Sequence, residues 1–210
     1  MMKVILFNGS PNAKGCTYTA LSEVAAVLKD EGIETEIFQI GNKPLRGCIG
    51  CNQCAANDSH HCAFNEDTVN AAIEKIKEAD GFIFGSPVHF AGASGAITSF
   101  MDRLFYAGGA YLQFKPAACL ASARRAGTSA TLDQLNKYFG IRNMPVISSS
   151  YWNMVHGSKP EDVKQDLEGL QTMQNLGHNM AWILKCIEAG KNAGIAQPIP
   201  ISGSKTNFIR

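Results

Sequence analysis

FNGSPNAKGCTYTAL, residues 7–21, is the stretch on which the fold turns. An apolar segment, Val4-Ile5-Leu6-Phe7, runs into it, and Ala20, Leu21, Val24, Val27 and Leu28 run out of it at helical spacing. Lys3–Phe7, a short apolar run, reads as the first strand. The residues between strand and helix are small or polar: Gly9, Ser10, Pro11, Asn12, Gly15, Thr17 and Thr19. The helix spans 17–30, with Gly32 as its C-terminal stop. A helix N-terminus presents unpaired N–H groups and partial positive charge, so it favours an anion. Ser10, Asn12, Thr17 and Thr19 add donors, and Gly15 lets the backbone approach closely. The loop lacks both the Gly-Lys-Ser/Thr ending of a P-loop and the Gly-x-Gly-x-x-Gly pattern. Taken by itself, it reads equally as a phosphate cradle or as an ordinary capped turn.

Working outward, strand-like and helical patterns alternate. Ile33–Ile40 alternates as a strand with one polar face, and residues 41–65 form a loop rich in cysteine. Asn65, Glu66 and Asp67 read as a capped helix start, followed by the stripe Val69, Ile73 and Ile76. Asp80–Gly85 is a buried central strand, which Pro87 is expected to stop. Residues 94–106 are a helix with core face Ile97, Met101 and Leu104; Ala117–Ser122 is a strand; Gly127–Phe139 is a helix closed by Gly140. Met144–Ser149 is read as a fifth strand, with Trp152 and Met154 after it as core packing residues in preference to neighbours of a partner subunit's ligand. Ser158-Lys-Pro-Glu161 reads as a capping box opening one long helix to about Ala189. Its wide apolar stripe suits either an intramolecular cover or a partner subunit.

Five strands alternating with helices imply a parallel sheet with right-handed crossovers. One domain is expected over residues 1–190, with the cysteine loop inserted after the second strand and an extended tail over 191–210. With 210 residues, 45% hydrophobic and 18% charged, the composition suits such an α/β domain. A net charge of +1 supplies no global field for nucleic acid. The first apolar run is too short for a secretory segment, and none approaches the ~20 residues of a membrane span. A soluble, cytoplasmic protein without a nucleic-acid or membrane partner is expected.

Ligands of such sheets bind outside the carboxyl ends of the strands. Two further strand ends are informative there. One carries Ser86, Pro87, Val88, His89 and Phe90; the other carries Ser122, Ala123, Arg124, Arg125 and Gly127. A hydroxyl-rich anion cradle, an aromatic loop and an arginine loop at one edge suit a planar aromatic phosphate ester.

With these residues in view, the chain resembles the flavodoxin-like NAD(P)H-dependent FMN reductases, and within them the iron–sulfur flavoprotein branch. The resemblance spans about residues 3–150. It rests on Gly9-Ser10-Pro11 through Thr17, on Ser86 to Phe90, and on Met101-Asp102-Arg103. It implies a flavodoxin-like three-layer sandwich with strand order 2-1-3-4-5 and FMN at the ends of strands 1, 3 and 4. The implied cofactor-binding residues are Ser10, Asn12, Gly15, Cys16, Thr17, Ser86, Pro87, Val88, His89, Phe90, Ala123, Arg124 and Gly127. Cys16 and His89 stand where the family often has asparagine and an aromatic tyrosine or tryptophan.

Four of the seven cysteines follow the pattern Cys48-x2-Cys51-x2-Cys54-x7-Cys62. The spacing lets one loop wrap several corners of a cubane, and four thiolates are the usual complement of a [4Fe–4S] cluster. It is similar to the spacing of the iron–sulfur flavoproteins. Zinc, disulfides, and a remnant site without metal are competing readings. His60 and His61 adjoin Cys62 as substitute ligands or as solvated loop residues.

The resemblance implies an FMN-dependent oxidoreductase that takes hydride from NAD(P)H and reduces a flavin, a quinone or another small-molecule or protein acceptor, with one-electron transfer if the cluster is present. No catalytic side chain is named, because the flavin carries the chemistry. A homodimer or homotetramer is expected, built on His89, Phe90, Phe105 and Tyr106. The alternatives are a non-catalytic flavodoxin-like electron carrier, which the net charge disfavours, and a cysteine-based metal or redox sensor.

Overall fold

The computed structural model describes residues 1–56, 59–204 and 206. Its elements run β1 (Lys3–Asn8), α1 (Cys16–Asp30), β2 (Glu34–Gln39), α2 (Gln53–Ala56), α3 (Val69–Lys77), β3 (Gly81–His89), β4 (Gly92–Ala93), α4 (Gly95–Ala107), α5 (Gly109–Leu112), β5 (Ala117–Ala123), α6 (Thr128–Ile141), β6 (Met154–His156), α7 (Pro160–Val163) and α8 (Leu167–Asn192). Five strands pair in parallel in the order β2-β1-β3-β5-β6. With the two-residue β4 set aside, this is the expected 2-1-3-4-5. β4 is a sixth strand the sequence reading missed, and it pairs antiparallel with the end of β3.

Alternation along β1 builds two cores. Val4 and Leu6 meet Ile83 and Leu120 under the apolar faces of α1 and α8. Ile5 and Phe7 meet Phe82 and Phe84 under α3, α4 and α6. Phe7 and Phe84 stack with centroids 4.7 Å apart. The stripe of α8 is thus used within the chain, as the cover of the α1 side. β2 is an edge strand, and its charges are paired: Glu34 with Lys3 at 3.0 Å, and Glu36 with Lys75 at 2.6 Å. Charged edges discourage strand addition by another chain.

Several expectations need correction. Pro87 does not stop its strand, because β3 runs on to His89. The Gly85 carbonyl accepts from Gly9 N–H at 2.8 Å, so Gly85 faces β1. Strand alternation turns Pro87 to the same side, beyond the end of β1 at Asn8. No partner stands there, so the missing N–H costs no ladder bond.

The fifth strand is not at 144–149. That stretch holds only a bridge from Val146 to Ala117. The chain leaves the sheet after Ile147 and returns at Asn153, whose carbonyl accepts from Ala121 N–H at 2.9 Å. The excursion carries Tyr151 and Trp152, both exposed, so Trp152 is not a core residue. Asn153 spans the gap in the ladder: its Nδ2 donates to the Cys119 carbonyl at 3.0 Å.

The long helix is two, α7 and α8, and Ser158 does not cap either. Lys159 is the N-cap residue of α7, and the Asp162 carboxylate accepts from Ser158 and Lys159 N–H at 2.9 and 3.2 Å. Asp166 then caps α8 by accepting from Gly169 N–H at 3.0 Å. α3 likewise starts later than expected, after Thr68; Asp67 accepts from Val69 N–H at 3.1 Å. α6 passes Gly140 to Ile141.

α8 continues two residues into the expected tail; residues 195–204 carry neither helix nor strand, and 205 and 207–210 lie outside the described residues. No helix among the described residues is long and apolar enough to cross a membrane.

Replacing Asn153 by alanine leaves a buried strand carbonyl without its donor. We expect Asn153→Ala to lower stability by about 1–3 kcal/mol, read as a lower denaturation midpoint with an unchanged m-value.

Candidate functional site

At the carboxyl edge, β1 ends in Asn8, which is fully buried. Its Nδ2 donates to Gln39 Oε1 at 2.6 Å and to the Ala13 carbonyl at 3.4 Å, while its Oδ1 accepts from Ser10 N–H at 3.2 Å. Gln39 Nε2 donates to the Ser10 carbonyl at 2.8 Å. The loop 9–15 is therefore held from below by two amide side chains. Ser10 Oγ accepts from Asn12 N–H at 3.1 Å, which leaves its own proton free to donate. Thr17 Oγ1 and Ser122 Oγ share a bond of 2.8 Å. Thr19 is spent locally, donating to the Gly15 carbonyl at 3.1 Å. Gly15 is the N-cap residue of α1, and no side chain caps that helix.

Ser10, Asn12, Cys16, Thr17, Pro87, Val88, His89, Ala123 and Arg124 line one cleft of about 320 Å3. The strand ends anticipated from sequence thus converge. The cleft also takes in Ser122, Gly157 and Ser158. Gly157 and Ser158 were missed because the fifth strand was placed ten residues early; a strand at 154–156 puts them on the carboxyl edge. Asn8 and Gln39 gave no signal beyond being polar at strand ends.

Four anticipated residues lie outside the lining. Gly15 lines the adjoining hollow instead. Ser86 is buried, donating to the Pro87 carbonyl at 2.8 Å and accepting from Ser94 N–H at 3.0 Å. Phe90 and Ala91 form the two-residue turn between β3 and β4, both at positive φ, +48° and +63°. Non-glycine residues rarely take that conformation, and strain of this kind clusters at functional sites. The turn leaves Phe90 fully exposed. Gly127, at φ +94°, supports it: a Cβ there would stand 2.6 Å from Ala91 Cα.

The cleft suits an anion at one end. α1 starts at Cys16, beside the hydroxyls of Ser10, Thr17 and Ser122, and Lys14 and Lys159 line the adjoining hollow. Burial, with Asp162 and Glu161 behind it, pushes the Cys16 thiol up. A neutral thiol there does not repel a phosphate. It donates to the Gly157 carbonyl at 3.5 Å.

The cysteine loop lies against α4. Cys48, Cys51, Cys54 and Cys62 line one depression together with Phe64, Arg103 and Tyr106. Cys54 and Cys62 pack on the core, whereas Cys48 and Cys51 are exposed. All seven cysteines are free thiols. In number and chemistry the donor set fits a thiolate-bound centre. As they stand, no three His, Cys, Asp or Glu side chains among the described residues are close enough to share an ion. His61 is turned to Glu74 and the Ser59 carbonyl, and His60 packs edge-on to Tyr111. Cys119 is apart from all this: it is buried, and burial pushes its thiol up to about 12.

Residues 2–159 match the family model described as NADPH-dependent FMN reductase. An iron-sulfur flavoprotein of Methanocaldococcus jannaschii is 36% identical over 195 residues, covering 89% of this chain and 100% of that protein. Among solved structures, RosB with bound 8-demethyl-8-formylriboflavin-5'-phosphate superposes with a TM-score of 0.69 at 16% identity, over 100% of this chain and 93% of that one. A flavodoxin from the domain Archaea superposes with a TM-score of 0.59 at 15% identity, over 88% and 99%. At such identities the two structures show the shared flavodoxin-like fold.

Gln39 touches the loop but not the cleft. We expect Gln39→Ala to fold normally and to bind FMN about 5–30-fold more weakly, since two hydrogen bonds worth roughly 1–2 kcal/mol hold the loop. Titration of FMN fluorescence quenching checks this.

Proposed function

This chain belongs to the NADPH-dependent FMN reductase family, and we propose that it is an FMN-dependent oxidoreductase that takes hydride from NAD(P)H and passes electrons to a flavin, a quinone or another acceptor. The observation that carries the reading is the single cleft joining Ser10, Asn12, Cys16 and Thr17 to Pro87, Val88, His89 and Arg124. The hydroxyls of Ser10 and Thr17 and the first-turn N–H groups of α1 would hold the phosphate. Pro87 to His89 and Ala123 would flank the ring. FMN, when bound, supplies hydride acceptance and electron release. The protein's part is orientation and charge. Arg124 brings a cation to the cleft wall, suited to the phosphates of a nicotinamide cofactor. One loop at one helix N-terminus has room for one phosphate, which favours FMN over FAD.

We infer further that Cys48, Cys51, Cys54 and Cys62 hold a [4Fe–4S] cluster. Four thiols around one depression support this, as does the iron-sulfur flavoprotein name of the relative at 36% identity. Such a cluster would supply one-electron transfer. The partner that suits the exposed His89, Phe90 and Tyr106 is a second copy of this chain. Phe90 at the tip of a strained turn and Tyr106 on α4 are large aromatic surfaces that a lone subunit leaves in water. Phe105, also expected in the interface, is instead buried in the core.

Anaerobically purified protein should release FMN, identified by mass, and should oxidise NAD(P)H continuously only when an acceptor such as a quinone is added. Release of FAD, or no turnover with any acceptor, overturns the reading. Light scattering should give an oligomer, and Phe90→Ser combined with Tyr106→Ser should shift it toward the monomer. A native monomer at micromolar concentration removes the interface.

A further inference from the structure

Arg103 is the largest of the fully buried side chains, at 1% exposure, in the middle of α4. An ionised group taken out of water is costly unless its donors are met. Here Nη2 donates to the Phe64 carbonyl at 2.9 Å, and Nη1 donates to the Arg46 carbonyl at 3.3 Å and to the Asp67 carboxylate. The Asp67 carboxylate compensates the charge, and the Phe64 ring lies 5.6 Å from the guanidinium carbon. The fourth bond is of another kind. Nε donates to Cys62 Sγ at 3.2 Å. A neutral thiol sulfur is a weak acceptor. A sulfur bearing negative charge, as a thiolate or a metal ligand, is a strong one.

Cys62 is also held by its backbone. Its N–H donates to Asn70 Oδ1 at 2.8 Å, and its carbonyl accepts from Asn70 Nδ2 at 2.9 Å. Neither Cys48 nor Cys51 has comparable support: both are exposed, on backbone without helix or strand. One corner of the thiol set is therefore rigid while others are not. The same helix is tied to the cleft nine residues earlier, roughly 14 Å along its axis. There Ser94 Oγ donates to the Gly9 carbonyl at 3.0 Å.

We propose that Arg103 is the positioning residue of the cysteine site. It fixes Cys62 as the corner around which Cys48, Cys51 and Cys54 close on a metal centre, and its Nε–H raises the reduction potential of that centre by withdrawing charge from the ligand sulfur. A hydrogen bond to a cluster sulfur favours the reduced, more negative state. The metal half of this proposal rests on the reading that the loop holds a thiolate-bound cluster. The positioning half does not.

Arg103→Lys keeps a cation and removes the fork; Asp67→Asn loosens the guanidinium more gently and guards against misfolding of the first variant. In metal-free protein, mass spectrometry after timed alkylation with iodoacetamide should show Cys62 reacting at least tenfold more slowly than Cys48 and Cys51. That protection should fall severalfold in both variants. In protein reconstituted anaerobically with iron and sulfide, redox titration followed by electron paramagnetic resonance should show a lower midpoint potential in Arg103→Lys. Unchanged Cys62 alkylation in both variants overturns the positioning role, even if wild-type protein takes up iron. An unchanged midpoint potential overturns the tuning role. Loss of protection in the variants of a protein that never takes up iron upholds the positioning and overturns the cluster.

Discussion

Ser94 is the point on which both sites hang. Its hydroxyl donates to the Gly9 carbonyl and accepts from Ile97 N–H at 3.4 Å, and its own N–H donates to Ser86 Oγ. One buried residue thus caps α4 and binds that helix to β3 and to the loop after β1. The contact demands a glycine at position 9, where a Cβ would come within 2.7 Å of Ile97 and 2.8 Å of the Gly85 carbonyl. With α4 seated so closely, the loop after β1 and the turn after β3 share one support. The far part of that support carries Arg103 into the cysteine loop. Hydrogen bonds among buried groups are costly to leave half made, so the arrangement tolerates little change at Ser94, Ser86 or Gly9.

The distribution of rigidity follows. The sheet and its two cores are built from fully buried Ile, Leu, Val and Phe side chains. The cleft edge, by contrast, is made of short polar side chains that bond one another before any ligand is considered. Asn8 and Gln39 hold the loop above β1, while Thr17 and Ser122 join α1 to β5. Such preorganisation lowers the ordering cost of binding. At the cleft, strain falls on the Phe90–Ala91 turn, against which Gly127 packs. Support in the cysteine loop is uneven: Cys62 is held from two sides, whereas Cys48 and Cys51 are exposed.

Much of the site was legible in the sequence. Ser10, Asn12, Cys16 and Thr17 could be assigned to the cleft edge because they lie between a strand and a helix that periodicity marks strongly, and Arg124 because it follows a well-marked strand. Gly157 and Ser158 were not legible, since Met144–Ser149 has the apolar run of a strand and Met154–His156 is three residues long. Val146 does touch the sheet, but the ladder breaks, and an asparagine side chain bridges it. Local pattern holds no trace of that bridge. Pro87 misled for a related reason. Proline forbids a bond only where a partner strand stands, and the end of β1 is a fact about a neighbour.

The sequence by itself determined the alternation of strands and helices, the parallel sheet, the polar loop at the first strand's end and the thiol-rich loop after the second. These follow from the spacing of apolar side chains and from glycine and hydroxyl chemistry, which act over a few residues. The tertiary structure alone decided which residues face the cleft, where the last strand rejoins the sheet, that Phe90 stands in water, and that Arg103 reaches Cys62. Those outcomes turn on contacts between groups tens of residues apart. Such contacts exist only once two cores have packed and fixed the distances between their helices.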